Sequence, residues 1–150
     1  RDGYPEISHP VAVGFALATA GFNETIVIAG ILHDVIEDTG QTYEEIVSEF
    51  GKEVADLVRF VSYDQTMPHD EGKEIYLQQL STAPPAACAI SAADLLANRT
   101  DMANTVIDRI PEKVVSYDNR RLAIIKQRLS HPFVDKVELI VGELHQRILS

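Results

Sequence analysis

The sequence predicts an all-α protein, a single bundle of about eight helices, and three observations carry that prediction. Apolar residues recur at helical spacing, as in Val54, Leu57, Val58 and Val61, or Val137, Ile140, Val141, Leu144 and Ile148. No stretch sustains the period-2 alternation with β-branched enrichment that strands require. Capping and breaking residues return at short intervals, so the connections are brief. The 150 residues suit one ordinary domain. No linker, repeat or low-complexity tract divides them, so residues 1–150 read as one unit. The chain begins at Arg1 rather than Met, and further residues are expected on the N-terminal side.

The elements follow in order. Arg1–Ser8 is polar, holds Gly3 and Pro5, and reads as a loop. Pro10 suits the first turn of a helix through Val11–Ala20, closed by Gly21. Asn23 caps a second helix from Glu24 to about Asp38, stopped near Gly40. Thr42 and Glu45 form a capping box for a short helix ending at Gly51. A fourth helix runs from Lys52 to about Ser62. Tyr63–Asp70 is a polar loop, Glu71–Leu80 is helical, and Ser81–Pro85 breaks it. Pro85 opens a long apolar helix through Ala86–Asn104. Thr105–Ser116 is a loop or a short helix, Asp118–Leu129 is helical, and His131-Pro132 precedes a final amphipathic helix. That last helix can dock on its own core or on a second copy, which leaves a homo-oligomer open.

Composition narrows the function. Thirteen Lys and Arg face 23 Asp and Glu, a formal net charge of −10. A nucleic-acid binder or an anionic-membrane binder is disfavoured, since both surfaces attract cations. A small anionic substrate requires a metal or a local basic cluster. One cysteine, Cys88, excludes an internal disulfide and a cysteine-based zinc site, and it suits a reducing, cytoplasmic setting. No apolar run reaches the ~18 residues of a spanning helix.

Three stretches place metal-ligand residue types where a plain core would not. Asp94 interrupts the apolar run around Ala86–Ala97. A carboxylate there needs a hydrogen bond, a cation, a metal or an exposed edge. His33 and Asp34 follow the apolar run Ile26–Leu32. With Glu37 and Asp38 one turn on, they fall within an arc of about 140° on a helix. That arc is either a solvated helix end or an acidic site screened by a cation. His9, before Pro10, is an N-cap, a surface residue or a ligand. Combined, His9, His33, Asp34 and Asp94 make an N2O2 set suited to Mn²⁺, Fe²⁺ or Zn²⁺. Glu37 and Asp38 then lie beside it, free to orient or deprotonate water.

In these residues the chain resembles the HD-domain superfamily of metal-dependent phosphohydrolases. Within it, the chain is most similar to the hydrolase domain of the RelA/SpoT alarmone enzymes and their small stand-alone relatives. The likeness lies in Gly3–Pro10, Ala29–Thr39, Phe50–Val58 and Ala92–Asn98, and spans roughly residues 1–104. It implies a helical HD-domain bundle with one Mn²⁺ on His9, His33, Asp34 and Asp94. Glu37 and Asp38 would activate and steer the attacking water. Asn98 would contact the nucleotide sugar and Arg1 would lie near the base; by motif proximity alone, Lys73, Arg99 and Arg1 are the cations placed nearest the phosphates, with Arg99 otherwise a solvated surface charge. The implied reaction removes the 3′-pyrophosphate of guanosine tetra- or pentaphosphate.

The chain also departs from the family pattern. Ser91 and Leu95 stand where basic residues are usual, Ala97 replaces a histidine, and Glu6 replaces an aromatic residue. His69 and Gly72 stand where relatives carry an aromatic residue and an arginine. These changes keep two alternatives open: an HD phosphatase for another nucleotide, such as a nucleoside monophosphate or a 3′-phosphorylated nucleotide, and a nucleotide-sensing domain without turnover.

Overall fold

An alanine-rich helix forms the axis on which the other elements pack. The computed structural model describes residues 7–105 and 110–149. Among them are nine helices and no strand: α1 Ser8–Thr19, α2 Glu24–Leu32, α3 Val35–Thr39, α4 Tyr43–Phe50, α5 Lys52–Phe60, α6 His69–Ser81, α7 Pro85–Asn104, α8 Glu112–Arg128 and α9 Pro132–Leu149. The all-α expectation holds. The axis is α7, which touches α1, α2, α5, α8 and α9. Its residues Ala87 to Ala93 are buried without a break. A helix apolar on every side must be covered on every side, and short side chains let the neighbours come close. Leu17, Ile46, Val58, Leu80, Ile90 and Ile125 fill the spaces between helices. Val134, Val137 and Val141 seat α9 on this same core.

Two glycines set how closely α1 and α2 approach. A Cβ on Gly14 would lie 2.6 Å from Ile31 Cγ1, and one on Gly30 would collide with Leu17. Leu17 is fully buried in the core. The bare glycine surfaces therefore bring the two helices together beside the N-terminal end of α1 and the C-terminal end of α2, where His9 and His33 sit.

The local signals at the caps are present. Asn23 accepts from the Ile26 amide at 3.0 Å. Thr42 and Glu45 make both bonds of the capping box. Two expectations need correction. The helix read as continuous from Glu24 to Asp38 is broken at His33-Asp34. There His33 Nδ1 engages the Gly30 carbonyl at 2.6 Å, an oxygen that the Asp34 amide would take in an unbroken helix. Asp34 adopts φ −93°, ψ −3°, in the sparsely allowed bridge region, and starts α3. The helix read from Asp118 begins six residues earlier, at Glu112, with Pro111 as its N-cap.

Candidate metal centre and active site

His9 comes from the first turn of α1, His33 and Asp34 from the break between α2 and α3, and Asp94 from mid-α7. His9 Nε2 and His33 Nε2 stand 3.0 and 3.1 Å from the same oxygen, Asp94 Oδ1. The two nitrogens are 3.4 Å apart. Asp34 closes the group, with Oδ1 3.1 Å from His33 Nε2 and Oδ2 3.8 Å from His9 Nε2. Both imidazoles are buried.

These residues fit a divalent ion. Donors about 2.1 Å from one cation stand about 3 Å apart at right angles, the spacing seen here. His9, His33 and Asp94 each bring one donor atom within reach of a single shared cation, and Asp34 lies beside them with its two oxygens toward different imidazoles. The His33 Nδ1–H is held by the Gly30 carbonyl, which directs Nε2 at the acids, as a ligating ring requires. His9 Nδ1 is buried without a hydrogen bond, with the Asp101 carboxylate 3.9 Å away.

Electrostatics say the same. Burial pulls the His33 imidazolium down, but Asp34 and Asp94 outweigh it and push the ring up to about 10. Burial alone would raise Asp94, yet bonds to His33 and His9 and the charge of Arg121 hold its carboxyl well below the usual range.

A cavity of about 620 Å³ opens beside this cluster, lined by Asp34, Glu37, Lys73, Asp94, Asn98 and Arg99 among others. Glu37 is half-buried, and its Oε1 accepts a bond from the Tyr63 backbone amide. Burial pushes its carboxyl up to about 7, against the pull of that amide and with the help of Asp34. Asn98 Nδ2 donates to Asp94 Oδ1 at 3.1 Å. Lys73 Nζ lies 4.7 Å from the centre of the Tyr117 ring. Asp38 is exposed and does not line the cavity. Arg1 and Glu6 lie outside the described residues. The departures at Leu95 and Ala97 point into the core, whereas His69 and Gly72 line the cavity.

Two residue groups escaped the sequence reading. Arg121, on α8, is buried and bonds Asp94 Oδ2 at 2.8 Å. Arg99 makes two bonds to Asp118, which also holds His145 Nε2 at 2.8 Å. Asp118 and Arg121 lie in the segment 105–132, which carries no motif, and His145 lies in the last helix. The one available signal was charge on the core-facing side of a helix, at Asp118, Arg121 and His145.

The chain belongs to the HD-domain family, whose model matches residues 1–83, more than half its length. Among curated proteins it is similar to the human guanosine-3′,5′-bis(diphosphate) 3′-pyrophosphohydrolase MESH1, 37% identical over 103 residues, covering 67% of this chain and 58% of the relative. The Xenopus tropicalis MESH1 is 31% identical over 145 residues, covering 88% of this chain and 81% of the relative. The chain thus spans little more than half of the human relative's length. Among solved structures, lmo0812 from Listeria monocytogenes superposes with a TM-score of 0.82 at 31% identity, over 96% of this chain and 98% of that one. A metazoan SpoT ortholog, described as hydrolysing ppGpp, shares the fold with a TM-score of 0.80 at 24% identity, over 97% of this chain and 83% of that one.

Proposed function

We propose that this chain is a Mn²⁺-dependent phosphohydrolase that removes the 3′-pyrophosphate of guanosine 3′,5′-bis(diphosphate). The observation that carries the reading is the convergence of His9, His33, Asp34 and Asp94 beside a cavity walled by Glu37. The similar MESH1 proteins, named for that reaction, supply the substrate. A divalent ion held by His9, His33, Asp34 and Asp94 would supply Lewis acidity and make water more acidic. Glu37, on the cavity wall beside the cluster, takes the water's proton as general base. The Tyr63 amide holds Oε1 and leaves Oε2 for that transfer. Asp38 acts through its negative charge, which raises Glu37, rather than by touching substrate. Asn98 braces Asp94 and offers its carbonyl to the sugar, and Lys73 meets the phosphates. The buried lone cysteine suits a cytoplasmic setting.

One observation favours a second reading, an HD phosphatase for a less charged nucleotide. Arg99 and Arg121 at the cavity are each paired with a carboxylate, and Lys73 lines it without one among the described residues. A panel of guanosine tetraphosphate, nucleoside monophosphates and 3′-phosphorylated nucleotides, each with Mn²⁺ and with EDTA, decides between them. Pyrophosphate release from the tetraphosphate, abolished by EDTA, is expected. Phosphate release from another member alone selects the second reading. Binding without release from any member would refute both.

A further inference from the structure

We infer that Arg121 is the positioning residue of the metal centre: it holds Asp94 so that a single carboxylate oxygen faces the two imidazoles. The inference rests on the metal-centre reading above and adds a residue to it.

The two oxygens of Asp94 are divided between two environments. Oδ1 meets His9, His33 and Asn98 at 3.0–3.1 Å. Oδ2 meets Arg121 Nη2 at 2.8 Å. Arg121 is itself fixed from behind. Its Nε donates to Ser91 Oγ at 2.8 Å, and Nη2 also reaches the Ser91 carbonyl at 2.8 Å and Tyr76 Oη at 3.3 Å. Ser91 and Tyr76 hydroxyls are 2.8 Å apart, so the guanidinium rests on a bonded pair rather than on mobile groups. Arg121 is 3% exposed and Ser91 is fully buried. A longer side chain at 91 would fill the space the guanidinium occupies.

The consequence is geometric. A carboxylate with both oxygens free can swing or chelate with both. With Oδ2 taken, Asp94 presents one donor and cannot turn toward the Ser91 and Tyr76 hydroxyls behind it. The planar guanidinium can bond Ser91 and Asp94 together, which a lysine ammonium does with poorer register. Ligand-orienting partners of this kind typically carry about 10–100-fold in metal affinity.

The direction of the effect makes the test sharp. Removing a cation beside a metal ligand should, by Coulomb's law alone, tighten binding of a divalent ion. Lost orientation should weaken it. Titrating metal-free Arg121→Met with Mn²⁺ by calorimetry is expected to show about 10–100-fold weaker binding than the unaltered protein. Arg121→Lys, which keeps the charge but not the fork, is expected to fall between them. The visible absorption of the Co²⁺-loaded variants should change in band position or intensity as the Asp94 donation changes. Unchanged or tighter Mn²⁺ binding with an unchanged Co²⁺ spectrum in a folded variant would overturn the inference. Where the Met variant does not fold, the Lys variant alone decides by the same criterion. If the unaltered protein bound no Mn²⁺, the metal-centre reading itself would fail, a result separate from any behaviour of the variants.

Discussion

Glutamine at position 37 separates proton transfer from metal binding. Glu37 is outside the ligand cluster, and its Oε1 is held by the Tyr63 amide, a bond that glutamine can keep. Burial, with the charge of Asp34, lifts the carboxyl from its ordinary 4.5 to about 7. At about 1.4 kcal/mol for each power of ten, that difference amounts to roughly 3 kcal/mol, an upper bound because the cavity admits water. A carboxyl raised in the folded state favours folding below about 4.5 and loses that contribution as pH rises through about 7. Glu37→Gln should therefore melt higher than the parent at pH 8 and alike near pH 4, both measured metal-free. Turnover with Mn²⁺ should fall by about 10²–10⁴-fold, the usual contribution of a general base. The acid limb of the parent's kcat/KM profile should lie at or below pH 7, since a bound cation lowers the carboxyl further, and the variant should lack it. Mn²⁺ affinity by calorimetry should not change. A rate loss below about tenfold would refute the role of Glu37 as base, and loss of metal together with rate would make it a ligand instead.

The remaining expectations concern the centre itself. Saturating Mn²⁺ should raise the parent's melting temperature by mass action, and Asp94→Asn should abolish that rise; a retained shift would remove Asp94 from the ligand set. His33 is held at about 10 by Asp34 and Asp94 against burial, so in the metal-free protein its stabilising proton is present below about 6.5 and is lost only as pH climbs through about 10. Mn²⁺ must displace that proton at pH 7, and calorimetry in buffers of different ionisation enthalpy should read about one proton released. No release would mean that His33 does not ligate.

Much of the fold was legible because its signals are local. The Asn23 cap, the Thr42–Glu45 box and the apolar run of α7 each act within a turn or two, and each is present. The break at His33-Asp34 was not legible. Neither residue is a helix breaker, and the periodicity from Glu24 to Asp38 stays helical. What breaks the helix is the His33 ring taking a backbone carbonyl, which follows from its place against α1 and α7. The arc argument for His33, Asp34, Glu37 and Asp38 assumed an unbroken helix. The break is where it fails: Glu37 keeps the cavity wall, and Asp38 is turned to solvent.

The site divides along the same line. Asp94 stood out because an ionisable side chain inside an apolar run demands an explanation, His33 and Asp34 because they end such a run beside further acids, and His9, before Pro10, only in combination with them. Arg121 made the same demand less audibly, since its flanks, Asn119 and Arg120 on one side and Leu122 on the other, read as an ordinary mixed helix face. Its partner lies 27 residues away on another helix, and no spacing rule links the two. Arg120 and Arg121 are adjacent and chemically identical, yet Arg120 pairs with exposed Glu74 at the surface while Arg121 is buried against Asp94. Exposed pairs of the first kind typically contribute about 0–1 kcal/mol, whereas breaking a buried pair typically costs about 3–5 kcal/mol. The helical rotation of α8 on α7, set by Tyr117, Leu122 and Ile125 packing into the core, is what assigns one arginine to water and the other to Asp94.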